Sequence, residues 1–329
     1  VLATNKQNAI AKNWKVRYSS GSADIPATTG TYTCPQLNMS RYITLTVKNG
    51  EAIKLDLWAT ANITPIRIVS GSNTKDITVD THWTGFANYT ADGTTMTIYG
   101  DLKRFDCSEN RANLTAIDVS KNTQLYKLYC NKNNLSSLDV SKNTKLTVLS
   151  CSNNNLSSLD ISKNTELKEL NCANNKLSSL DISKNTKLKT LYCYGNNLST
   201  QVLDDIYCAL PDRTGNTNGV IQPVFNSSSS DLATVLATNK QNATAKNWKV
   251  QYYSGSADIP ATTGKHKCSA TTDIADATAE QALTLYPNPV VDVLYLSSTA
   301  RIIRVYNIYG IEVAHATDTD RVEVSHLPA

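Results

Sequence analysis

A solenoid of short parallel-β coils is the fold class this sequence predicts, and three observations predict it. The first is a 21-residue block repeated almost letter for letter: LTAIDVSKNTQLYKLYCNKNN (114–134), LSSLDVSKNTKLTVLSCSNNN (135–155), LSSLDISKNTELKELNCANNK (156–176) and LSSLDISKNTKLKTLYCYGNN (177–197). The second is a degenerate fifth copy just upstream, LKRFDCSENRAN (102–113), with Phe105 in a Leu place and Cys107 in the Cys place. The third is the division of labour within a coil: apolar positions recur unchanged, and a few outward positions change in every copy.

Each element follows from that pattern. The string L-x-x-L-x-C-x-x-N with a period in the low twenties marks a leucine-rich repeat, in which coils stack and none is stable alone. Each coil carries one short strand, and side chains alternate along it. Leu170 and Cys172 therefore point inward, and Glu169, Asn171 and Ala173 outward onto a concave face. One cysteine per coil makes a core column: Cys107, Cys130, Cys151, Cys172 and Cys193. Cysteine fills such a narrow apolar place well. Three residues later comes a second column, Asn110, Asn133, Asn154, Asn175 and Asn196, where the strand turns. Buried turns need polar partners, and an amide both donates and accepts. On the far wall, Leu135, Leu138, Val140 and Leu146 face inward. Asp139 and Lys142 recur at 118/121, 160/163 and 181/184 as columns of opposite charge, read as compensating each other on a solvated wall.

The rest of the 329 residues divides around the array (101–197). Residues 35–100 alternate apolar and polar between Gly and Asn/Asp turns, which predicts a small antiparallel β N-terminal cap. Asp92-Gly93 reads as a turn. Residues 198–268 predict an α+β C-terminal cap or flank. It has a closing helix at 200–211, a Gly/Asn/Ser loop at 214–230 and a helix N-cap at Asp231. Residues 269–281 are small, polar and Leu-free, a linker. Residues 1–34 repeat 235–268 with 28 of 34 positions identical. They read as the tail flank of a preceding array, in a precursor of at least two cap–array–flank modules. Cys34 and Cys268 are equivalent in that duplication. A Cys208–Cys268 disulfide is one possible pairing in an oxidising compartment; spacing alone does not decide it.

Chemistry is harder to find. The four histidines are scattered, and no pair has zinc spacing. No P-loop, G-x-G-x-x-G or H-E-x-x-H string occurs, and five of eight cysteines are explained by coil geometry. The expectation is no enzyme, no metal and no cofactor. A net charge of +4 is too slight to argue nucleic acid, and no apolar run is long enough to span a membrane. What remains is the outward face. Its candidate ligand-binding residues are Arg104, Asp106, Lys127, Tyr129, Asn131, Val148, Ser150, Glu169, Asn171, Thr190, Tyr192 and Tyr194. Ser108, Ser152 and Ala173 lie in the same set. Tyr129, Tyr192 and Tyr194 are the anchor candidates, since tyrosine brings area, rigidity and a hydroxyl.

The L-x-x-L-x-C-x-x-N and L-D-V/I-S-K-N-T strings over 102–197 closely resemble the cysteine-ladder repeats of internalin J-like surface proteins of Bacteroidetes type. At the other end, LTLYPNPVVDVLYLSS (283–298), RIIRVYNIYGIEV (301–313) and VEVSHLPA (322–329) resemble a type IX secretion sorting domain. There the resemblance implies a partial immunoglobulin-like β-sandwich (282–329) without its final strands. Together the resemblances imply a secreted, cell-surface, outer membrane-attached adhesin. Its partners would be a host protein or glycan and the type IX secretion machinery. A structural or self-associating biofilm module, or an accessory that presents an upstream domain, are the rival readings.

Overall fold

The structure is a computed structural model that describes residues 36–268 with their side chains. It also describes three later strands as backbone. The expectations for 1–34, Cys34 included, and for 269–281 lie outside the described residues. The chain divides into two compact units, Val1–Ser269 and Ala270–Ala329. In the second unit, β15 (Leu285–Tyr286), β16 (Val293–Tyr306) and β17 (Glu312–Glu323) form an antiparallel sheet in the order β15-β16-β17.

The first unit begins with β1 (Tyr42–Val47), β2 (Ala52–Ala59), β3 (Thr64–Ser70), β4 (Asn73–Val79), β5 (Ala87–Thr90) and β6 (Thr95–Tyr99). The coils follow: β7 (Leu102–Asp106), β8 (Leu114–Asp118), β9 (Lys127–Tyr129), β10 (Val148–Ser150), β11 (Glu169–Asn171) and β12 (Thr190–Tyr192). Next come α1 (Thr200–Ala209), β13 (Gly219–Val224), α2 (Leu232–Leu236), α3 (Gln241–Thr244) and β14 (Trp248–Tyr252).

Two sheets organise this unit. One runs β4-β3-β6-β1-β8, and the other β14-β13-β12-β11-β10-β9-β7-β2-β5. From β7 to β14 the larger sheet is parallel, with each coil strand in exact register on the next: Leu128, Leu149, Leu170 and Leu191 are successive partners. Strand β2 closes one edge by antiparallel pairing with β7. The LTAID segment forms a strand in the first full copy only, because β1 lies beside it and supplies hydrogen-bond partners.

The coil interior is dry. Leu135, Val140, Leu146, Leu149 and Cys151 are fully buried, as are their equivalents at 156–172 within 1%. Each coil turns through a left-handed residue two places after its cysteine: Glu109, Lys132, Asn153, Asn174 and Gly195. At Gly195 a Cβ would also meet the Asn174 Oδ1 at 2.2 Å, so glycine answers both conformation and space.

One segment departs from its sequence reading. The composition of 214–230 predicts a loop, yet Gly219–Val224 is a strand that continues the parallel sheet, and Trp248–Tyr252 adds another. Parallel pairing is made by backbone groups. The edge that β12 leaves open takes a new strand whether or not the 21-residue pattern continues.

Candidate functional site: the outward face of the parallel sheet

The turn asparagines position everything above them. Asn133 donates from Nδ2 to the carbonyls of Cys107 and Cys130, both at 3.0 Å, and its Oδ1 accepts from the Asn110 N–H. Asn154 and Asn175 repeat this one coil on, their Oδ1 atoms accepting from Leu135 N and Leu156 N. Asn196 closes the series. Asn110 instead reaches across to the Lys54 backbone, which ties the first coil to β2.

A second asparagine column was missed in the sequence. Asn122, Asn143, Asn164 and Asn185 are fully buried. Asn143 donates to the carbonyls of Val119 and Asn122, and Asn164 to those of Val140 and Asn143. The signal was present: this Asn never changes in S-K-N-T, while the residue two places on is Gln, Lys, Glu, Lys. The wall carboxylates are exposed and have backbone partners besides the neighbouring lysines. No ion pair joins Asp139 to Lys142 or Asp160 to Lys163 among the described residues. Each Asp Oδ1 accepts the N–H two residues on, at 2.8 Å. Those bonds hold both carboxyls below their ordinary range.

The column cysteines are all reduced and buried. Burial pushes every one of these thiols up, Cys172 to about 12. Such thiols are neither nucleophiles nor metal ligands at neutral pH. Cys208 and Cys268 are joined in a disulfide. Among the described residues no cluster of three or more His, Cys, Asp or Glu could hold a metal ion.

Above this scaffold the outward side chains form two rows. Arg104, Lys127, Val148, Glu169 and Thr190 are register partners in one, and Asp106, Tyr129, Ser150, Asn171 and Tyr192 in the other. Most are half-buried. Val148 is only 7% exposed, set between the longer Lys127 and Glu169. The third outward position needs correction. Ser108, Ser152 and Ala173 are buried, as is Tyr194 at 5% exposure, and only Asn131 stays half-open. These residues follow the strand and sit in the stacked turns. The carbonyls of Ser152, Ala173 and Tyr194 each accept an N–H from the preceding coil's turn. Tyr194 is covered by rings from outside the array and presents no free anchor.

The two rows end in aromatic groups. At the β7 end, Trp83 stands 5.8 Å from Trp58 at 89° and 6.0 Å from Tyr129 at 62°. The Arg104 guanidinium lies 3.5 Å over Trp58, its Nε buried without a hydrogen-bond partner. Beside it, Asp106 faces Asp56 across the strand pair and accepts from the Ser108 N–H and hydroxyl. Desolvation, opposed by the Ser108 bonds, raises the Asp106 carboxyl. At the β12 end, Tyr192 and Tyr194 meet Phe225 and Tyr253. Burial raises the phenols of Tyr129 and Tyr192. Trp58, Trp83, Phe225 and Tyr253 lie outside the repeats, and no coil pattern pointed to them.

Comparison with known proteins agrees on the repeats. Residues 144–185 and 165–207 match the family model for Leucine Rich repeats (2 copies). No match is found among curated proteins. Among solved structures, the chain is similar to the functional domain of InlJ from Listeria monocytogenes, which includes a cysteine ladder. The identity is 31% over 37% of this chain and 25% of that one, with a TM-score of 0.31. It is also similar to a leucine-rich repeat protein of Leptospira interrogans, at 27% identity over 29% of this chain and 26% of that one, with a TM-score of 0.29. The chain thus spans about a quarter of the length of these structures. Among the described residues, no helix is long and apolar enough to cross a membrane.

Proposed function

We propose that this chain is a secreted or surface-displayed binding protein, not an enzyme, and that the outward face of its parallel sheet holds the ligand. One observation carries the reading. The buried Leu, Cys and Asn positions repeat without change, whereas Lys127/Tyr129, Val148/Ser150, Glu169/Asn171 and Thr190/Tyr192 change completely from coil to coil. The first set builds the core; the second lies outside it. The C-terminal resemblance supports export to the cell surface through a type IX system. An adhesin that takes a protein or glycan of a host or neighbouring cell unites these features.

The test is a binding screen of the intact chain against arrays of extracellular proteins and glycans, repeated with two variants. Combined Tyr129→Ala and Asn171→Ala removes two outward side chains and should weaken every hit by roughly tenfold or more. Lys163→Ala, on the opposite wall, should leave the hits unchanged. Hits that survive the double variant, or concentration-dependent association of the chain with itself in place of hits, would refute the reading.

A further inference from the structure

The ligand face does not stop where the repeats stop. We infer that it continues onto β13 and β14, where Tyr192, Phe225, Tyr253 and Gln222 form a subsite for a neutral glycan. This rests on the preceding reading of the sheet face and deepens it.

Geometry makes the extension. Tyr192 is the register partner of Gln222, and Gln251 follows Val250, the partner of Ile221, on the next strand. Backbone bonds from Tyr253 N to Val224 O (3.1 Å) and from Ser254 N to Phe225 O (2.8 Å) hold the two aromatic residues side by side. Gly255, at φ +79°, turns the chain away behind them. The Phe225 and Tyr253 rings stack at 5.7 Å and 29°, and Tyr192 meets Tyr253 edge-on at 5.8 Å. Phe225 and Tyr253 cover Tyr194 and still stay 40% and 42% exposed themselves, an aromatic patch on the surface.

A second observation comes from the duplication. Residues 1–34 and 235–268 differ at six positions, and two of these are Arg17/Gln251 and Ser19/Tyr253. Trp248 and Val250, which enter the core, are the same in both copies. The changes on β14 and at its end thus fall on the ligand side and leave the packing side alone, as they do between coils.

The chemistry indicates the occupant. The exposed parts of Phe225 and Tyr253 accept the C–H face of a sugar, and a free amide donor meets its hydroxyls. The Asn171 Nδ2 donates to nothing among the described residues. Gln222 is 4% exposed; its Nε2 donates to the Tyr252 carbonyl at 3.2 Å, and its Oε1 is buried without a partner. The size of the face argues the same way. Seven parallel strands, with two outward rows along coil strands three residues long, give a strip about 10 Å wide and about 29 Å long. A strip of this shape takes a linear oligosaccharide along its length.

The experiment measures neutral gluco-, galacto- and manno-oligosaccharides on the intact chain by saturation-transfer NMR and calorimetry. At least one should bind. Combined Gln251→Arg and Tyr253→Ser, which writes the first copy's residues into the second, should weaken it by roughly tenfold. Thr244→Ile, a difference placed on the exposed α3, should not change it. If the double variant unfolds, Asn171→Ala provides the same comparison. Failure of every oligosaccharide, or binding indifferent to both the double variant and Asn171→Ala, overturns the proposal. A protein captured through Tyr129 and Asn171 with no oligosaccharide bound overturns the glycan subsite alone and leaves the ligand face standing.

Discussion

The coil array and the C-terminal flank share one parallel sheet and are held together in different ways. From Cys130 to Cys193 every coil has the same length, so Asn154, Asn175 and Asn196 meet the same three backbone groups each time. Five cysteines sit in a column there and none is bridged. In the flank the connections between strands differ in length and the columns end. A disulfide between Cys208 and Cys268, 60 residues apart, takes over, with Trp248 buried at the centre and its Nε1 donating to the Pro211 carbonyl. Lys246 donates to the carbonyl of Cys208 beside the bridge. Repetition supplies a partner for every buried turn; where it lapses, a covalent link and single-use contacts stand in for it.

The largest expected effect tests the flank. Replacing Cys208 and Cys268 together by Ser releases a loop of about 60 residues, worth about 4 kcal/mol by chain entropy. Urea unfolding would measure the loss. Hydrogen exchange should place it in β13 and β14, with the coils at 135–176 still protected; equal loss in both regions would break the comparison. Next comes the array. Asn154→Ala strands the Leu135 N–H, while the carbonyls of Cys130 and Cys151 keep Asn133 and Asn175 as donors, and it should cost about 2 kcal/mol in the same measurement.

Asn164→Ala sharpens the contrast within the array. It strands no group, since the carbonyls of Val140 and Asn143 keep backbone donors, and it removes a buried Oδ1 that has no partner, so a net cost of about 1 kcal/mol or less is expected. A cost equal to that of Asn154→Ala would show that the two columns do the same work. The smallest effect is acid sensitivity of the wall. The Asp139 and Asp160 carboxyls lie below their ordinary 3.8 in the folded chain. Their contribution is therefore complete above that value and is lost as pH falls through the lowered folded values. Asp139→Asn with Asp160→Asn should lower the urea midpoint slightly near neutrality, and the difference should vanish as pH falls through that acid window.

Much of the array was legible because its contacts are periodic. Leu170, Cys172 and Asn175 meet their own equivalents one coil away, so a single period places them all. Legibility failed where a contact joins unlike segments. Tyr194 was read as an outward anchor, but Phe225 and Tyr253 lie over it, 31 and 59 residues further on. Trp83 reaches Tyr129 from outside the repeats in the same way. The charge columns were legible as compensating charges, and Lys142 does favour the Asp139 carboxylate, but the hydrogen bond from a backbone N–H two residues on left no signal in the charge pattern.

By itself the sequence determined the coil: its length, its inward leucines and cysteines, and the amide at each turn. Local alternation and close packing leave a 21-residue period no other consistent solution. Only the tertiary structure decided that the sheet runs on through Gly219–Val224 and Trp248–Tyr252, and which rings gather at its two ends. Backbone pairing does not depend on side-chain identity, and a contact between distant, unlike segments leaves no period to read.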